Sequence, residues 1–228
     1  MLNLGKRVRG LLVKLASTEV VDIAAASGLD FCVVDLEHSQ LAEHEAFRLV
    51  RHARALGFPA LVRIAENDRG LVNRLLEAGA DGIQLSTVRS ATQVEDLRAA
   101  CRYAPAGRRS ISLNHPGARY GAVALADYVA EQGDGPLVVA QIETAETEDP
   151  LEDIVEARPD VLFVGVVDLT VDLGLDADRV RDRVDEIASA AGAAGIPLGS
   201  YALADERVRY DLVASDLGLV QKAVAALA

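Results

Sequence analysis

A chain of 228 residues, half of them hydrophobic and a quarter charged, has the make-up of a soluble globular protein, with room for one large core or two small ones. Its formal net charge of −12 sets it against phosphate backbones, so nucleic acid is excluded as an expected partner, and no run approaches the ~20 apolar residues of a membrane span. Trp is absent and aromatics are only 4%, which leaves Ala, Val, Leu and Ile to build the interior.

The first segment, MLNLGKRVRGLLVKLAS, has basic residues ahead of an apolar run. The run is short and Lys14 interrupts it, so it reads as fold rather than secretion signal. Strands are predicted at 10–16, Phe31–Asp35, Ala60–Ile64, Gly82–Leu85, 110–113, Leu137–Ile142, 161–166, 197–201 and 210–214. Helical periodicity falls between most of them, at Glu43–Leu56, 71–78, 91–103 and 180–194, and Gly28, Gly57, Gly79 and Gly195 stand where helices end. His44 and His52, with Arg51 and Arg54, read as the wet face of the second helix. Cys32 and Cys101 lack metal-type spacing and read as two thiols of a cytoplasmic protein.

About eight strand–helix alternations without a linker predict one α/β domain over residues 1–228, a closed (β/α)8 TIM barrel. A doubly wound open sheet is the alternative, and the lack of a Gly-rich dinucleotide fingerprint after the first strand counts against it. The stretch 205–210 is too short for a full helix before the last strand.

In such a barrel the C-terminal strand ends share one face, and active sites sit there. The residues at those ends are Asp35, Glu37 and His38, then Arg63, then Gln141, Glu143 and Thr144, then Asp168. Each also has a structural reading: His38 a satisfied histidine, Glu37 a solvated loop acid, Arg63 a strand-to-strand ion pair, Asp168 a helix cap. Glu143 is harder to explain that way. It ends the apolar run LVVAQI, where an unpaired charge costs several kcal/mol, on the order of a buried ion's loss. A divalent cation would compensate. Two carboxylates, with water and substrate oxygens in the remaining positions, suit Mg2+ or Mn2+, and no Cys/His cluster supports zinc.

The runs DLEH, ALVRIAENDRGLVNRLLEAGADGIQLSTV, RYAPAGRRS, AQIETAE and FVGVVDLTVDLG follow one another in the order and approximate spacing of the HpcH/HpaI aldolase family, which the chain resembles from about Gly10 onward. The resemblance implies a barrel that binds Mg2+, Mn2+ or Co2+, needs no organic cofactor, and reversibly cleaves a small hydroxylated 2-oxo acid into pyruvate, or a related acid, and an aldehyde. By the same resemblance, Glu143 and Asp168 are the metal ligands and Gln141, Val167 and Asp168 line the substrate. Arg63 holds the pyruvate oxygens, His38 is the catalytic histidine with Glu77 as its acid partner, and Asp35 and Glu37 support the metal. It further implies a homo-oligomer, since relatives form trimers or hexamers, although this chain stops soon after its final helix. The chemistry suits these types. A metal and a guanidinium offset charge developing on the 2-oxo acid, and imidazole exchanges protons near neutral pH.

The chain departs from the family pattern at Leu36, Ser86, Ser110 and Val166, where the family has Gly, Pro, Gly and Pro; by the resemblance these positions line or support the pocket. The loop Asn114-His115-Pro116-Gly117 adds a histidine foreign to the pattern, read first as a solvated turn and second as an acceptor-binding residue. Two other readings compete with the aldolase. One is the same site with different enolate chemistry: acyl-CoA ester cleavage, decarboxylation or biosynthetic carbon–carbon bond formation. The other is a barrel that has lost catalysis and serves as a scaffold.

Overall fold

Eight strands pair in chain order, all parallel, and the last closes on the first. The computed structural model describes residues 2–227. The strands are β1 (Val8–Val13), β2 (Phe31–Asp35), β3 (Ala60–Ile64), β4 (Gly82–Leu85), β5 (Leu137–Ile142), β6 (Val161–Val164), β7 (Leu198–Tyr201) and β8 (Val208–Ser215). The helices are α1 (Thr18–Ala26), α2 (Glu43–Leu56), α3 (Arg69–Ala78), α4 (Ala91–Cys101), α5 (Leu125–Glu131), α6 (Leu151–Glu156), α7 (Val166–Asp172), α8 (Ala177–Ala194) and α9 (Asp216–Ala225). This is the expected single TIM barrel.

Nearly every strand residue is buried, as parallel strands covered on both faces require. The pleat sorts them into two cores. Phe31, Val33, Leu61, Val139, Phe163 and Leu212 fill the barrel interior, while Cys32, Val34, Val62, Val138 and Ala140 face the helices. Gly10 is required by this packing, because a Cβ there would lie 2.4 Å from the Phe31 ring. Both cysteines are free and buried, and burial pushes each thiol up to about 12.

Several predicted elements shift. The expected strand at 110–113 is an exposed loop: β4 pairs directly with β5, with Gly82 opposite Leu137, so the sheet has no place for it. β1 ends at Val13 rather than at 16. Beyond it the backbone N–H groups of Lys14 and Leu15 turn to the Asp216 carboxylate, at 2.9–3.0 Å. β6 stops at Val164, and Val166 opens α7. Helices α3 and α8 begin before their apolar pattern, because Asp68 and Asp176 cap them through their side chains. Gly28, Gly57, Gly79 and Gly195 all take positive φ, as expected of residues ending helices. Among the described residues no helix separates β7 from β8; residues 202–207 cross directly. None of the helices is long and apolar enough to cross a membrane.

Candidate active site

The alternation that sorts the core also builds the site. Carried one or two residues past the apolar part of each strand, the inward parity falls on Lys14, Asp35, Glu37, Arg63, Ser86, Gln141, Glu143 and Gly165. Leu36, between two inward acids, packs outward against the helix layer. It therefore does not line the pocket, and the same holds for exposed Ser110.

Asp35, on β2, is fully buried and pairs across to Arg63 on β3, with Nε to Oδ1 at 2.9 Å and Nη2 to Oδ2 at 2.7 Å. Lys14 Nζ adds a second cation 3.1 Å from Oδ2. The backbone N–H groups of Glu37 and His38 also donate to Oδ1. Burial alone would raise the Asp35 carboxyl, but the bonds and charge of Arg63, with Lys14, outweigh it and hold it at about 2. Arg63 is raised in turn: burial opposes its charge and Asp35 more than compensates. The structural reading of Arg63 as an ion pair between strands is thus correct, and the residue also lines the cleft.

Glu143 is buried at the end of β5. Its Oε1 accepts from the backbone N–H and hydroxyl of Thr87, at 2.8 and 2.6 Å, and Oε2 accepts from the Gln141 amide. Gln141 is itself held by Gln84, at 2.6 Å, which also accepts from Tyr210 at 3.4 Å. A chain of hydrogen bonds thus runs across the barrel and fixes the Glu143 carboxylate. Gly165 faces it closely: a Cβ there would stand 2.5 Å from Glu143 Oε2. Three residues on, Asp168 sits exposed in the first turn of α7 and lines the same cleft, beside Val166 and Val167. Thr144 instead bonds its own loop at Glu146.

Glu37 lies between Ser86, which donates to it, and Arg63, whose Nε is 3.4 Å away. Burial pushes its carboxyl upward, and the charge of Glu143 adds to this against the pull of Ser86 and Arg63. His38, at the mouth, has Nε2 3.7 Å from Glu37 Oε2. The acid facing the histidine is therefore Glu37, not Glu77.

Glu77 is a correction. It occupies the last turn of α3, which runs antiparallel to the strands and so carries it toward the opposite barrel end, where Asn73 donates to it at 3.0 Å. His115 is a second. It is buried beside α3, with Nε2 donating to the Ser112 carbonyl at 3.0 Å and its ring edge-on to Tyr128. It is neither a solvated turn residue nor part of the cleft. His52 pairs with Asp22 at 2.7 Å on the surface.

The cleft holds about 350 Å3 and is lined by Arg63, His38, Gln141 and Asp168 on one side and by Lys14, Tyr201 and Ser215 on another. Lys14, Gln84 and Thr87 were missed as site residues. Strand parity was the signal for the first two; Thr87, with φ +48, sits on a turn that no pattern marks. Among the described residues no three His, Cys, Asp or Glu side chains form a ready-made metal cage. Glu143 and Asp168 offer carboxylate oxygens, the donor type that suits a hydrated hard ion such as Mg2+ or Mn2+.

A closed barrel with its charged cleft at the C-terminal strand ends defines a TIM-barrel enzyme. The family model described as HpcH/HpaI aldolase/citrate lyase matches residues 9–218. The chain is 30% identical to the hydroxypyruvate/pyruvate aldolase of Sagittula stellata over 76% of its own length and 68% of the relative's. It is 29% identical to the 4-hydroxy-2-oxo-heptane-1,7-dioate aldolase of Salmonella arizonae, over 89% and 80%. The crystal structure of an HpcH/HpaI aldolase from Desulfitobacterium hafniense superposes with a TM-score of 0.88 at 29% identity, covering 97% of this chain and 91% of that one. The chain belongs to the HpcH/HpaI aldolase/citrate lyase family and is a carbon–carbon lyase of the aldolase type.

Proposed function

We propose that this enzyme cleaves, and in reverse forms, the carbon–carbon bond of a small 4-hydroxy-2-oxo acid, releasing pyruvate or a close relative and an aldehyde, with a divalent cation held by Glu143 and Asp168. The observation that carries the reading is electrostatic. Three carboxylates, Asp35, Glu37 and Glu143, gather near two cations, Arg63 and Lys14, and a fourth, Asp168, lines the same cleft. A divalent ion balances that excess, and Mg2+ or Mn2+ matches the oxygen donors. When bound, the ion supplies positive charge beside the oxygen on which negative charge develops.

The chain's own residues do the rest. Arg63, locked by two bonds to Asp35, presents its remaining N–H edge to the oxygens of the 2-oxo acid and arrives already oriented. Gln141, held from behind by Gln84, keeps the Glu143 carboxylate facing Gly165. The His38 imidazole takes the proton of the C4 hydroxyl as the C3–C4 bond breaks. The bond pair stays on C3 and makes the enolate of the 2-oxo acid; protonation at C3 then gives pyruvate. Glu37, facing His38 Nε2, steadies the imidazolium formed in that step.

Enolate formation can be read without knowing the aldehyde. In D2O with Mg2+ or Mn2+, the methyl protons of pyruvate are expected to exchange, followed by NMR, and a chelator is expected to stop it. Absence of exchange with every divalent ion tried overturns the reading.

A further inference from the structure

Lys14 is a charged group of the cleft that the chemistry above leaves without a task. Its backbone is pinned. Asp216, buried at the start of α9, takes the N–H groups of Lys14 and Leu15 on one carboxylate, so the chain end of β1 is held against β8. The side chain then leans inward, with Nζ 3.1 Å from Asp35 Oδ2 and donating to the His38 carbonyl at 2.9 Å. An ammonium has three donors, and these contacts use two.

Asp35 does not require Lys14 for neutrality, because Arg63 already binds both of its oxygens. Apart from Asp35 and the Arg63 bonded to it, the wall on the Lys14 side is uncharged. Of the residues that β1, β7 and β8 contribute to the cleft, namely Leu12, Lys14, Tyr201, Leu212 and Ser215, only Lys14 bears a charge among the described residues. The acids that would hold a cation come from the far side, after β5 and β6. Asp35 is thus one carboxylate shared by two cations, Arg63 and Lys14, while Asp168 lines the cleft from α7. A cation that shares its counter-ion with a second cation, in a half-buried wall, attracts a further anion more strongly than one in open water.

We infer that Lys14 selects the acceptor, binding the carboxylate of a short aldehyde that carries one, such as a semialdehyde of a dicarboxylic acid. The inference rests on the proposed aldolase reading and assigns the half of the substrate that the reading leaves open. Lys14 is a specificity residue here. It takes no proton and forms no covalent bond.

The test is a ratio. With pyruvate and Mg2+ or Mn2+, kcat/KM is measured for succinic semialdehyde and for butanal, its neutral counterpart of equal chain length. The wild type is expected to favour the anionic aldehyde by on the order of tenfold to a hundredfold. Lys14→Met is expected to erase the preference, mainly through KM for the anionic aldehyde, and Lys14→Arg to restore most of it. A lysine that merely props the His38 loop would slow both aldehydes alike and leave the ratio where it was. An unchanged ratio in Lys14→Met, or no preference in a wild type that exchanges pyruvate protons, overturns the inference while the aldolase reading stands. Borohydride trapping of pyruvate on Lys14, seen by mass, also overturns it. A wild type that fails to exchange pyruvate protons removes the aldolase reading, and the inference with it.

Discussion

Carboxylates at the two ends of the barrel do different work. At the N-terminal end, Asp30, Asp81 and Asp160 stand immediately before β2, β4 and β6, and each clamps the preceding strand twice. The carboxylates of Asp30, Asp81 and Asp160 accept from the N–H groups of Arg9, Ala60 and Val138, at 2.8, 2.9 and 2.8 Å. Their own N–H groups donate back to the carbonyls of the same three residues, each at 2.8 Å. At the C-terminal end, Asp35, Glu37 and Glu143 converge on Arg63, Lys14, Thr87 and one another. An acid that meets a backbone dipole staples strands; acids that meet cations and other acids store a field. Before a strand these aspartates only staple; after one, an acid either staples, as Asp216 does to Lys14 and Leu15, or joins the charged cluster of the cleft.

The largest expected effect separates the two ends by activity. Glu143→Gln should lower metal-dependent pyruvate proton exchange by on the order of 10^3-fold while its circular dichroism and thermal midpoint stay near wild type, because Gln keeps the bonds to Thr87. Next is stability at the catalytic end. Asp35→Ala leaves buried Arg63 and half-buried Lys14 with one counter-charge fewer and is expected to cost about 3–5 kcal/mol in urea unfolding. The pH dependence is smaller and differs in sign between the ends. The Asp35 carboxyl is depressed, so its contribution is complete above its ordinary 3.8 and is lost as pH falls toward about 2; Asp35→Asn should flatten a loss of about 2 kcal/mol over that window. Burial raises the Asp81 carboxyl, although the bond from Ala60 opposes this. Its contribution therefore declines as pH rises through the raised value, and Asp81→Asn should remove that slope. The smallest effect is Asp81→Ala, which strips the staple and should cost about 1 kcal/mol with exchange unaltered. A comparable loss of exchange in Asp81→Ala would erase the distinction between the two ends.

Much of the fold was readable because parallel strands covered on both faces are short apolar runs, and eight of them separated by helices leave few architectures. The exposed loop at 110–113 imitates a strand by local alternation alone, and only the β4–β5 register excludes it. Asp35, Arg63, Gln141 and Glu143 were legible as polar residues at inward positions of apolar strands. Glu77 was assigned from the family resemblance alone, although its place in the last turn of the helix predicted at 71–78 already set it, within this chain, at the barrel end away from His38. Lys14 was passed over as an interruption of an apolar run, although the parity that marks Leu12 as interior marks Lys14 as well. The partner of His38 could not be read, because Glu37 and Ser86 meet only after β2 and β4 are brought together through β3.

The seam between β8 and β1 has a consequence for how the molecule comes into being. Asp216 grips Lys14 and Leu15 across some two hundred positions of chain, and Asp211 grips Arg7 at 2.8 Å over a similar span. A ribosome threading this polypeptide outward exposes β1 long before its neighbour exists, so the ring stays open, with two bare edges, until the final segment emerges. The catalytic mouth is thus among the last places to take shape, and a nascent chain stalled before Ser215 is an unclosed sheet vulnerable to sticking to its own kind.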